Sequence, residues 1–140
     1  MRIVIDTNVF ISATFWKGDS FTILKKVENK EIDLIVSQEI IKEYGNVLNY
    51  EEIQSKVKIK ELEANFILGD LVAHSIIVAP QVRHNIVKAD PDDDKFIDAA
   101  VESKADYLIS QDKDLLDLKE FQGIKILKPA DFLELLSKTY

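Results

Sequence analysis

Short apolar runs alternate along this chain with longer stretches of helical periodicity. Ile3–Ile5, Leu34–Val36, Ser75–Val78, Tyr107–Ile109 and Ile124–Leu127 are too short for helices and predict five strands. Most are uninterrupted by polar residues, which suits strands covered on both faces. Asn8 to Phe15 predicts a short helix, broken by Lys17-Gly18-Asp19, and Asp19 or Ser20 caps a second helix through about Glu28. Ser37 is the expected N-cap of a third, where Ile40, Ile41, Tyr44, Val47 and Leu48 repeat at helical spacing. A longer helix is expected over Glu52 to Leu68, ending near Gly69. Ala79 to Asp93, with two prolines and clustered aspartates, predicts a loop. Asp92 to Asp94 then open a helix carrying Phe96, Ile97, Ala100 and Val101, and Pro129 fits the first position of a terminal helix.

Strands separated by helices imply an α/β fold: a three-layer α/β/α sandwich around a central, mainly parallel five-stranded sheet. At 140 residues, the expectation is one domain over 1–140. The chain has 46% hydrophobic and 31% charged residues, which excludes a disordered chain. The absence of cysteine excludes disulfides, thiolate metal sites and a cysteine nucleophile. No apolar stretch reaches the ~20 residues that span a membrane, and the N-terminus enters a strand directly, so a cytoplasmic protein is expected. The net charge of −7 argues against a generic duplex-DNA binder. Divalent ions at an acidic site would reverse the local field. Two lysine strips, Lys25, Lys26 and Lys30, and Lys56, Lys58 and Lys60, read first as solvated faces and second as phosphate contacts.

The chemistry lies in the acids. Asp6 and Asp112 each come just past a strand end, Glu43 lies on the helix after the second strand, and Asp94 opens the helix that feeds the fourth. Each alone has a plain structural role, as a cap, a turn residue or a solvated charge. In open α/β sheets ligands bind beyond the carboxyl ends of the strands, and carboxylates gathered there repel one another unless a hard cation joins them. Other readings fail on spacing. Asp90, Asp92 and Asp94 mimic the start of a calcium loop, but Lys95 and Val101 stand where it needs Gly and Glu. A phosphatase of the haloacid-dehalogenase type needs Asp-x-Asp after the first strand, where this chain has Asn8. A phospho-receiver domain needs paired acids there, and Asp6 stands alone. Four glycines form no phosphate loop. His74 and His84 read as packing or surface residues, and Phe15 and Trp16 as core or interface.

Four blocks in order carry a resemblance: Val4-Ile5-Asp6-Thr7-Asn8, Ser37 through Tyr44, Asp90 through Ala100, and Ala105 through Leu116. On these the chain resembles the PIN-domain family, especially its small prokaryotic toxin components of toxin–antitoxin pairs. The resemblance implies an endoribonuclease acting on single-stranded RNA with one or two Mg²⁺ or Mn²⁺ ions. Matched by position, Asp6, Glu43, Asp94 and Asp112 look like the acidic metal-binding cluster, with Asp93 and Asp98 as open alternatives for the third acid. Thr7, Asn8 and Ser110 look like its polar surroundings, and Asp114 like an outer ligand. The resemblance also implies a small antitoxin and a homodimer, for which Leu, Ile and Phe positions between residues 53 and 68 offer a face. The alternative is a catalytically silent RNA-binding or assembly module. Two expectations follow: at least one cluster acid titrates high without metal, and Asp6→Asn leaves the fold intact or more stable.

Overall fold

The computed structural model describes residues 1–57 and 61–139. In chain order its elements are β1 (Arg2–Ile5), α1 (Thr7–Phe15), α2 (Asp19–Glu28), β2 (Asp33–Val36), α3 (Gln38–Leu48) and α4 (Glu51–Val57). They continue with α5 (Glu61–Ala73), β3 (Ser75–Ile77), a single 3₁₀ turn (Pro91–Asp93), α6 (Asp94–Ser103) and β4 (Tyr107–Ile109). The last four are α7 (Lys113–Leu116), β5 (Glu120–Phe121), β6 (Ile124–Leu127) and α8 (Pro129–Thr139).

The apolar runs form the middle of one sheet in the order β3-β2-β1-β4-β6-β5, parallel except for β5 against β6. Ile3, Val4, Leu34, Ile35, Val36, Leu108 and Ile109 are fully buried, as strands covered by helices on both faces must be. The helix α6 packs across β1, β2 and β4, while α1 packs on α2 and α3, and α2 on α8. This is the expected three-layer class. The sheet has six strands rather than five, because β5 pairs with β6 through a turn in which Gln122 (φ 49°) and Gly123 (φ 84°) both have positive φ. Such a turn matches the twist of a tight hairpin, and Gly123 takes that conformation without a Cβ clash.

Ser37 accepts from Ile40 N at 3.3 Å and so caps α3 as expected, and Pro129 does start α8. At α2 the cap position falls to Gly18, with no side-chain bond, and Asp19 becomes the first helical residue, where its charge favours the helix N-terminus. Over the stretch expected as one helix, α4 ends at Val57, and α5 runs through Gly69 to Ala73. A glycine in a helix interior costs only about 1 kcal/mol relative to alanine, which the packing around it overrides. At Gly45 a Cβ would lie 3.1 Å from Leu68 Cδ2, so a larger residue there would have that side chain give by a few tenths of an ångström where α5 meets α3.

The strand order reverses between β1 and β4: the chain adds β2 and β3 on one side of β1, then returns to place β4 on the other. A crevice opens at such a switch point, beyond the carboxyl ends of the strands. Ile5 is in register with Ile109, so Asp6 and Ser110 leave the sheet side by side, and Asp6 N donates to Ile109 O at 3.0 Å.

Candidate active site

Asp6 is 3% exposed and fixed through both carboxylate oxygens. Oδ1 accepts from Val9 N at 2.8 Å and caps α1, while Oδ2 accepts from the Ser110 hydroxyl and from Gln111 N at 3.1 Å. Ser110, itself fully buried, also accepts from Asp112 N at 2.9 Å, so one hydroxyl orients both acids. Asp112 caps α7 by accepting from Asp114 N at 2.9 Å. Capping and clustering are therefore not rival roles, because a carboxylate has lone pairs for both. Burial raises the pKa of Asp6; bonds from Ser110, Val9 and Gln111 oppose this, and the charge of Asp112 adds to it.

The third acid beside these is Asp93. Ligand oxygens of Asp90, Asp93 and Asp112 all lie within 4.8 Å of one another. Asp93 Oδ2 is buried and receives no hydrogen bond. Its carboxyl is pushed up to about 8, first by burial, then by the contact with Asp112, which is a hydrogen bond only while a proton is kept, and then by the charges of Asp112, Asp90 and Asp6. One acid titrating high is what carboxylates crowded without a cation must show.

Asp94 and Asp98 point elsewhere. Asp94 Oδ1 accepts from Ile86 N at 2.9 Å and Val87 N at 3.0 Å. One turn on, Asp98 Oδ1 meets His84 N and His84 Nδ1, both at 2.7 Å. Together they tie the irregular segment after β3 to α6. The 3₁₀ turn explains the difference between neighbours: with about three residues per turn rather than 3.6, helical phase does not extend backwards from α6 to Asp93.

Glu43 occupies the edge of the site. Its Oε2 accepts from the Thr7 hydroxyl, and its Oε1 meets Lys95 Nζ at 2.5 Å. The next residue, Tyr44, is fully buried, stacks on Phe10 at 4.3 Å and donates its hydroxyl to Ile5 O at 2.5 Å. That bond ties α3 to the end of β1, which brings Glu43 alongside Thr7. Burial also raises the Tyr44 pKa well above its ordinary value, so the hydroxyl keeps its proton. Asn8 is exposed on the first turn of α1, and the Asp114 carboxylate lies outside the group of three. Sequence reasoning missed Lys95 and Asp90 as site residues. Asp90 stands at the calcium-loop spacing and opens the block through Ala100, neither of which marks it as a ligand, and nothing in the spacing of Lys95 marks it.

The remaining candidates take ordinary roles. Lys25 pairs with Glu28 at 3.1 Å, and Lys56 lies over the Trp16 ring at 5.4 Å. Lys58 and Lys60 fall outside the described residues. Ile53, Ile67 and Leu68 pack against the core, whereas Phe66 is 77% exposed. His74 Nδ1 meets Asp70 O at 2.8 Å on the surface. No helix among the described residues is long and apolar enough to cross a membrane.

An α/β domain with buried acids at the switch point of a mostly parallel sheet has its ligand-binding crevice lined by carboxylates. The profile of the PIN domain family matches residues 2–114, and the chain belongs to that family. It is 34% identical over 150 residues to the uncharacterised protein MJ1680 of Methanocaldococcus jannaschii, an alignment covering 99% of this chain and 93% of that one. Its fold is similar to PAE2754 of Pyrobaculum aerophilum, with a TM-score of 0.62 at 16% identity over 98% of this chain and 90% of that one. It is also similar to VapBC2 of Rickettsia felis, a structure bound to a DNA fragment from its promoter, with a TM-score of 0.61 at 13% identity over 90% and 97% of the two chains.

Proposed function

We propose that this chain is a divalent-metal-dependent endoribonuclease that hydrolyses phosphodiester bonds of single-stranded RNA, with residues 1–140 acting as one domain. The observation that carries the reading is the crowding of Asp93 against Asp90 and Asp112, with its buried Oδ2 receiving no hydrogen bond from a protein donor. Buried polar atoms are almost always satisfied, so an orphaned carboxylate oxygen among other carboxylates fits a cation ligand. All the donors are oxygens, the set preferred by Mg²⁺ and Mn²⁺. Asp93, Asp112 and Asp90 would hold the metal, with Asp6 adding charge from the floor and Glu43 from the edge. Asp94 serves this arrangement from behind, by holding the segment at Ile86 and Val87.

A bound divalent ion supplies a water of lowered pKa and positive charge for the phosphate oxygens. The chain's own part is orientation. Ser110 and the Gln111 and Val9 amides fix Asp6, Asp114 N fixes Asp112, and Thr7 fixes Glu43. By extension from VapBC2, the chain would pair with a small antitoxin protein; as the family resemblance implies, it would also work as a homodimer, which light scattering on the purified chain would read directly.

The test is cleavage of a mixed set of labelled single-stranded RNAs with Mg²⁺, Mn²⁺ or EDTA, comparing wild type with Asp93→Asn. Cutting that needs metal and is lost in the variant is the expected result. Equal cutting by both proteins would refute the site. Metal binding with no cutting of any RNA would instead favour a silent RNA-binding module.

A further inference from the structure

We propose that Lys95 is a displaceable counter-ion: it neutralises Glu43 while the site lacks metal, and a bound metal frees it to contact an RNA phosphate in the adjoining cavity. The inference rests on the nuclease reading above and adds a role for a residue outside the acid set. The Lys95 and Glu43 side chains are only 16% and 26% exposed, and their charged atoms are 2.5 Å apart. Lysine is rarely buried without a partner, and Glu43 is the partner here. On its other side Lys95 lines a cavity of about 320 Å³ with Ser37, Gln38, Arg83 and Asp98, past the ends of β2 and β3.

The cations and anions around that cavity differ in how free they are. Arg83 is bound to Glu39, and Asp98 to His84. Lys95 is bound to Glu43, whose other oxygen is held by Thr7 beside Asp6. A divalent cation held by Asp90, Asp93 and Asp112 repels the ammonium and competes with it for the charge of Glu43, which loosens Lys95 from its partner. The freed ammonium would then be a poorly hydrated charge without a partner, which is costly. A backbone phosphate in the cavity answers that need. Metal therefore prepares the phosphate contact, and the site engages RNA after it engages metal.

Mn²⁺ titration calorimetry on wild type, Lys95→Met, Glu43→Gln and the double variant tests the first half. Removing Lys95 should tighten Mn²⁺ about fivefold, as expected for a partly buried ion pair, and should do nothing when Glu43 is already Gln. The second half is read from binding of a phosphorothioate single-stranded RNA with Mn²⁺ across salt concentrations. The Lys95→Met slope of log affinity against log salt should be shallower by about 0.7, one phosphate contact. Unchanged or weaker Mn²⁺ affinity in Lys95→Met overturns the counter-ion role, and an unchanged salt slope overturns the phosphate role. Wild type that binds no Mn²⁺ removes the metal reading and this inference with it, an outcome distinct from equal binding by both proteins. Circular dichroism checks folding, and Lys95→Gln replaces the methionine variant if that one does not fold.

Discussion

Neutralising Asp93 should stabilise this protein, and more so at high pH. The carboxyl is held at about 8 in the fold against an ordinary 3.8, so the folded state binds its proton more tightly than the unfolded chain. Stability from this group is therefore complete below 3.8 and is lost as pH rises through about 8. The slope has a ceiling of about 1.4 kcal/mol per pH unit. Charge geometry gives an independent size. Two carboxylates no more than 4.8 Å apart repel by at least about 3.5 kcal/mol at an effective dielectric of 20 and about 0.9 kcal/mol in water. Asp93 is half-buried, so Asp93→Asn should gain about 1–3 kcal/mol at pH 9 and less at pH 5. Urea denaturation in EDTA at several pH values measures this. Adding Mg²⁺ should then stabilise wild type and leave the variant unmoved, because the cation replaces the missing proton. A variant no more stable than wild type at every pH would refute the crowding argument.

Asp6→Asn should abolish cleavage and, contrary to the sequence expectation, cost about 1–2 kcal/mol by urea denaturation, because its amide would face the Ser110 and Gln111 donors that now meet a carboxylate. Asp94→Ala should cost about 2–4 kcal/mol by leaving the Ile86 and Val87 amides unpaired, yet calorimetry should show Mn²⁺ binding retained once the variant is folded. Tyr44→Phe should lose about 1 kcal/mol, read as a lower thermal midpoint, by removing the bond to Ile5 O.

The fold was legible because its central strands β1, β2 and β4 are buried on both faces, and such strands leave runs like Ile3–Ile5 that no surface requirement interrupts. The two-residue β5 left no such run, and Gln122-Gly123 is a weaker hairpin signal than Asn-Gly. Asp6 and Asp112 were legible as acids at strand ends, since a parallel sheet sends all its carboxyl ends to one edge. The choice among Asp93, Asp94 and Asp98 was not, because it depends on the angle through which one 3₁₀ turn rotates the chain. Lys95 was hidden for a different reason: its partner is 52 residues away, and only the tertiary fold brings the two together.

The way Asp94 and Asp98 hold the segment after β3 has a consequence for how this protein can diverge. They grip it mainly by main-chain amides, at His84, Ile86 and Val87, and main-chain amides are common to every residue except proline. The exposed side chains of that segment, at Val82, Asn85 and Lys88, are thus released from the task of keeping it in place, which the buried Val87 and the His84 ring share with those amides. Substitutions at those positions can rewrite the surface beside the acids while the anchoring stays intact. Two aspartates on one helix make the rim of the site a region open to innovation.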